Sequence, residues 1–234
     1  MSKHQPLIKI ELSALHPTQI TLGKAEVAAK RFLWGQLRPK ERAKLLKAHW
    51  LPAVKGPKGQ YYVVDHHHLG LALIEENVET AFALELTDLS EVTGEVFWRT
   101  MEFHRWAHPY DARGKRRTYD AIPKTLLKMR DDPFRALAGT VRDSGGYAKD
   151  GAPYAEFLWA DFYRQRIDVR KLEHTASGEL AGNVVSNALA LAHGNTARYL
   201  PGWTGVVGSS DPSQEQGLPP SRLSREDSVA SRAE

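Results

Sequence analysis

Four consecutive residues, Asp65, His66, His67 and His68, hold the densest chemistry in the chain. They lie within "QYYVVDHHHLGLALIEE", where an apolar, β-branched run enters and a helix-like run leaves. Purification tags sit at termini, so this internal triplet belongs to the protein. A carboxylate at a strand end, ahead of a helix, is expected to serve as N-cap, with the helix running from about 66 to 77. The first N–H groups of a helix have no intrahelical acceptor, and the positive end of its dipole lies there. An anion, phosphate above all, is favoured at such a place. The same field disfavours imidazolium, and neutral imidazole is the form that ligates metals and acts as a base. Neighbouring helical residues point about 100° apart, so one or two of the histidines can line a pocket while another packs or caps. Leu69, Ala72 and Leu73 follow at the spacing of a buried stripe. In the plain alternative, Asp65 only caps and the histidines are surface groups.

A second cluster lies in "FHRWAHPYDARGKRR". His104 and His108 are four apart and share a face if a helix persists. With Asp111 they can complete a metal or phosphate site, and Asp65 and His66 of the first cluster are the further candidates for a divalent metal; the equal alternative is a helix terminus and a solvated basic loop. Within the basic run that follows, Arg116 is the candidate phosphate contact. In "DSGGYAKD" the paired glycines allow close backbone approach, from which Lys149 can reach a phosphate, although a simple loop is the preferred reading of this segment.

The elements that position these groups can be read from periodicity and turn residues. "LIKIEL" alternates as a strand, and residues 24–48 read as two helices broken near Gly35 and Pro39. "LPAVKGPKGQYYVV" reads as two short strands joined at Gly56–Gly59, and residues 80–86 as another strand. Helices are expected over 93–106, 123–129, 132–142, 154–166 and 180–192. The organisation is thus an α+β domain over 1–88, a helical extension over 89–206 and a disordered tail over 207–234, whose Ser, Pro and charge cannot support a core. Trp98, Trp106 and Trp159 are assigned to the core, and "YLPGW" to pinning the end of the fold.

Composition narrows the classes. The chain has 234 residues, 41% hydrophobic and 26% charged, with a formal charge of +4 and no cysteine. Disulfides, thiolate zinc sites and cysteine nucleophiles are excluded. No apolar run is long enough for a membrane helix and no signal-peptide core opens the chain, so a cytoplasmic protein is expected. The mild positive charge is compatible with nucleotides or nucleic acid.

The segments "LHPTQITLGKAEVAAKR", "PAVKGPKGQYYVVDHHHLGLAL", "HPYDARGKRRTYDAIP", "GGYAKD", "EFLWADFYRQRI" and "RYLPGW" resemble the putative ParB-like nuclease family, a distant branch of the ParB/sulfiredoxin fold. The resemblance implies a small mixed sheet with flanking helices. It also implies that the strand-to-helix turn binds a nucleotide phosphate. Partition proteins of this fold bind CTP with a Gly-Glu-Arg-Arg turn. Sulfiredoxins bind ATP with Gly-Cys-His-Arg, and free serine kinases use an Asp-Gly-His type turn. Asp65, His66, His67 and His68 occupy the matching positions. The absent cysteine rules out sulfiredoxin chemistry. The kinases' catalytic acid, early in the first helical segment, has Glu26 as its nearest match.

The expected function is phosphate chemistry at this turn, either phosphodiester hydrolysis or nucleotide-dependent phosphoryl transfer. Glu26, Asp65, His67 and His68 are the catalytic candidates, Asp65 to His68 with Arg116 and Lys149 the ligand-binding ones. Mg²⁺ or Mn²⁺, and ATP, ADP or CTP, are the expected cofactors. A serine-like amino acid kinase and a non-catalytic nucleotide- or DNA-binding regulatory module are the alternatives.

Overall fold

A computed structural model describes residues 6–172 and 180–206. The proposed tail lies outside them. Five strands form one mixed sheet in the order β1-β6-β4-β5-β2: β1 (Ile8–Glu11), β2 (His16–Pro17), β4 (Leu51–Lys55), β5 (Tyr61–Val63) and β6 (Thr80–Asp88). β1 runs antiparallel to β6, β6 parallel to β4, β4 antiparallel to β5, and β5 parallel to β2. A separate parallel pair joins β3 (Thr21–Leu22) to β7 (Arg130–Asp131).

The period-two pattern of the strands sends their residues to two cores. Leu51, Ala53, Val63, Ala81 and Ala83 face one side, where α3 (His67–Glu75) supplies Leu71, Ala72 and Leu73, and α1 (Lys24–Gln36) supplies Val27 and Trp34. Val54 and Tyr62 face the other side, against Phe97 and Met101 of α4 (Gly94–Phe103). A third core joins α5 (Pro133–Asp143), α6 (Ala155–Arg164) and α7 (Gly182–His193) around fully buried Trp159 and Tyr163. Trp159 donates its indole N–H to the carbonyl of Pro201 at 2.8 Å, tying "YLPGW" to this core. No helix among the described residues is long and apolar enough to cross a membrane.

The break between α1 and α2 (Pro39–Ala48) falls at Leu37 and Arg38, and Pro39 takes the first position of α2, where its missing N–H costs nothing. One expected helix is not there. Over 123–129 only a single 3-10 turn forms, Leu126–Lys128. Pro123 precedes it, and Met129 is already extended because the next residues must pair as β7 with β3. That pairing places α5 directly behind α1.

Candidate functional site

The chain leaves β5, turns through Val64 and Asp65, and enters α3 at His67. The N-cap is His66, not Asp65. His66 lies at φ 63°, ψ 25°, a left-handed conformation that histidine tolerates better than β-branched residues. Its N–H donates to Oδ1 of Asp65 at 2.6 Å. The carboxylate therefore clamps the turn one residue early and does not reach the helix. With no side-chain cap on α3, the N–H groups of its first turn remain available to a ligand.

The three histidines divide the work. His66 Nδ1 lies 2.9 Å from the carbonyl of Trp50 and donates its proton to it. His67 is buried, and its Nε2 accepts the N–H of Thr18 at 3.3 Å. Burial and the neighbouring His66 push its pKa down to about 3. His68 Nε2 accepts the N–H of Gly23 at 3.0 Å. Its pKa lies well below the usual range, through burial first and then the positive charges of Arg135, Lys30 and Arg142. At neutral pH both buried rings are uncharged, and their Nε2 lone pairs are occupied by backbone donors. They are posts that fix β2, the start of α1 and the start of α3 around one point.

Glu26 stands at that point. Its Oε2 lies 3.8 Å from Nε2 of His68, and its Oε1 accepts a 2.6 Å bond from Nη1 of Arg135. Arg135 occupies the first turn of α5, whose N-cap Asp132 accepts the N–H groups of Phe134 at 3.0 Å and Arg135 at 3.3 Å. Gly139, one turn further on, leaves room for the pair, since a Cβ there would fall 2.4 Å from Oε1 of Glu26. Glu156 of α6 closes the network, 3.8 Å from Nη2 of Arg135 and ion-paired with Arg142.

These groups line a cavity of about 550 Å³. Lys30, Arg105 and Lys149 add cationic charge around it, and Trp106, Tyr154 and Phe157 add aromatic surface. Sequence reasoning missed Arg135, Arg142 and Glu156. The "DDPFRALAG" stretch offered one signal, an Asp-Pro helix start with a basic residue in its first turn.

Lys149 lies in the cavity lining; Arg116 does not. Arg116 pairs with Glu102 at 2.7 Å and lines a separate depression with Trp98 and Tyr119. The expected metal set does not assemble: among the described residues no group of three or more His, Asp or Glu side chains is arranged to hold a metal ion. His104 stacks on Trp106 at 4.5 Å. His108 is enclosed by Tyr110, Tyr154 and Phe157, with centroids 4.2–4.7 Å away, and burial lowers its pKa to about 4. Asp111 is committed to Arg117 and to the N–H groups of Arg113 and Lys115.

Residues 8–165 match the family described as Putative ParB-like nuclease. The chain belongs to that family. The crystal structure of protein Atu1540 from Agrobacterium tumefaciens is similar to this ParB-like chain, with a TM-score of 0.77 and 41% identity, over 86% of this chain and 98% of that one. No curated protein matches the ParB-like chain.

Proposed function

We propose that the cavity at the start of α3 binds a phosphate group of a nucleotide or nucleic acid, and that phosphodiester hydrolysis takes place there with Glu26 as general base. The observation that carries this reading is the convergence of Glu26 on the uncapped N-terminus of α3, inside a cavity ringed by Lys30, Arg105, Arg142 and Lys149. The positive charges of Arg135, Lys30 and Arg142 all act on His68, and the five cationic side chains of the lining outnumber its four carboxylates, Glu26, Asp65, Asp150 and Glu156. A carboxylate beside bound phosphate can take a proton from water as the water oxygen attacks phosphorus. The ester P–O bond breaks, and the departing oxygen takes a proton from solvent. His67 and His68 position the turn; Asp65 sets its shape. The family description, a nuclease, agrees with the reading. No step is assigned to a metal ion, because the side chains expected to hold one do not converge.

One observation favours a second reading, a nucleotide- or DNA-binding module without turnover. Glu26 is already paired with Arg135, as a structural carboxylate would be.

The test is a thermal-shift and titration panel of ATP, ADP, CTP and a short single-stranded oligonucleotide, each with and without Mg²⁺ or Mn²⁺. Lys149→Glu should weaken binding, and Arg116→Glu, in the other depression, should leave it unchanged. Equal weakening by both would reduce the interaction to general surface charge.

A further inference from the structure

Three residues that line the cavity each carry a buried polar side-chain atom with no hydrogen-bond partner: Oε1 of Gln19, Nε of Arg135 and the hydroxyl of Tyr154. Gln19 and Arg135 are each only 7% exposed. Buried polar groups are nearly always paired, and three of the six unpaired ones among the described residues belong to residues of this one cavity, which asks for a common cause. The residues that carry them are linked through His108 and Phe157. The backbone of Gln19 pairs with His108 in a parallel bridge, the His108 ring stacks on Tyr154 at 4.7 Å and packs tilted against Phe157 at 4.2 Å, and the Arg135 guanidinium lies over Phe157 at 5.4 Å.

We propose that Gln19, Tyr154 and Arg135 form a subsite that reads the base of a bound nucleotide beside its phosphate. This deepens the reading of the cavity as a phosphate site and rests on it. The chemistry of the orphans selects the ligand class. Nε of Arg135 is a charged donor and calls for an oxyanion. Oε1 of Gln19 is an acceptor and calls for an N–H or O–H donor, which a phosphate dianion lacks. One ligand must therefore present acceptors and a donor together. A nucleobase edge sets donors next to acceptors, and a carboxamide meets such an edge with two bonds. Tyr154 can donate or accept between the two ends. Its ring lines the cavity with Phe157 and Trp106, and such aromatic side chains are surfaces on which a base can stack. A site built to hydrogen-bond one group discriminates strongly against ligands that lack it.

The probes are ATP, CTP, GTP and UTP, a trinucleotide, inorganic pyrophosphate and ribose 5-phosphate, titrated into the wild type, Gln19→Leu and Tyr154→Phe. The wild type should bind the base-bearing ligands at least about tenfold more tightly than pyrophosphate or ribose 5-phosphate, and should rank the four bases. Gln19→Leu should erase both the preference and the ranking while leaving pyrophosphate affinity unchanged. Tyr154→Phe keeps the stacked ring and should weaken the nucleotides alone. The mononucleotides and the trinucleotide separate a free nucleotide from a strand as the source of the base. Equal binding of all phosphates, untouched by Gln19→Leu, would overturn the base subsite and leave the phosphate site standing. No binding of any phosphate compound would overturn both. Should Gln19→Leu melt well below the wild type, Tyr154→Phe and the wild-type ranking decide.

Discussion

The backbone N–H of Gly23 donates to Nε2 of His68 at 3.0 Å, so the first residue before α1 is fastened to the first turn of α3. Through this bond Glu26, in the first turn of α1, is delivered to the histidine turn. Gly23 also has no space for a side chain, because a Cβ would lie 2.8 Å from the backbone of Ala136 in α5. Three helices from distant parts of the chain thus meet within a few ångströms.

His68→Ala should be a stability mutation before it is an activity mutation. It strands a buried N–H, which costs about 1–3 kcal/mol. A loss of that size lowers the melting temperature by about 2–4 °C per kcal/mol in a chain of this length. Calorimetry of the variant measures it, and an unchanged melting temperature would show that Gly23 finds water instead.

Position 66 should obey backbone conformation more than side-chain identity. Its φ is 63°. His66→Gly loses the bond to Trp50 but removes the left-handed penalty, so its stability should stay within about 1 kcal/mol of the wild type. His66→Val should fall below His66→Gly by at least about 1 kcal/mol. Equilibrium urea unfolding of the two variants gives the comparison; equal stabilities would deny the strained turn.

Gly139→Ala reverses the usual helix rule. Alanine in place of a mid-helix glycine normally adds about 0.5–1 kcal/mol. Here the added Cβ would meet Oε1 of Glu26 at 2.4 Å, and the carboxylate must leave Arg135. Net destabilisation, together with weaker ligand binding, is expected in a paired melt and titration. A more stable variant with full binding would mean that Glu26 has other room.

Stability should fall as acid is added, starting near neutrality. His67, at about 3, and His108, at about 4, are both held below the ordinary histidine value of 6.5. A folded-state pKa below the unfolded one means that the unfolded chain binds more protons between the two values. The stabilisation is complete above pH 6.5 and is lost as pH falls toward the folded values, at up to about 1.4 kcal/mol per pH unit for each histidine. Urea unfolding between pH 7 and pH 4.5 should show this slope, and His108→Phe should make it shallower. A flat profile would place these rings in water.

Much of the scaffold could be read in local patterns. Pro39 marked the break between two helices, Gly56–Gly59 the hairpin, and alternation the strands. The histidine turn was visible as a feature, but its division of labour was not. Three identical residues carry no periodicity, so nothing local distinguishes the left-handed His66 from the buried His67 and His68. Arg135 escaped because its partner Glu26 is 109 residues away, and such a pair is set by how α5 packs on α1. Spacing also misled at His104, His108 and Asp111, where four-residue separation suggested a shared ligand. Each of those groups instead satisfies itself on aromatic rings or a nearby arginine. Residues 123–129 were helical by composition and lost that helix to the β3–β7 pairing.

The central claim is that Glu26 does chemistry on a phosphate bound at α3. The most direct measurement compares the wild type with Glu26→Gln, on one preparation each, for binding and turnover of ATP, CTP and an end-labelled oligonucleotide. Glutamine keeps the shape and an acceptor for Arg135 but cannot take a proton. Expected are a lower melting temperature from the lost charge pair with Arg135, phosphate binding no weaker than in the wild type, and cleavage slowed by about 100-fold or more. Undiminished cleavage by a folded Glu26→Gln variant would contradict it.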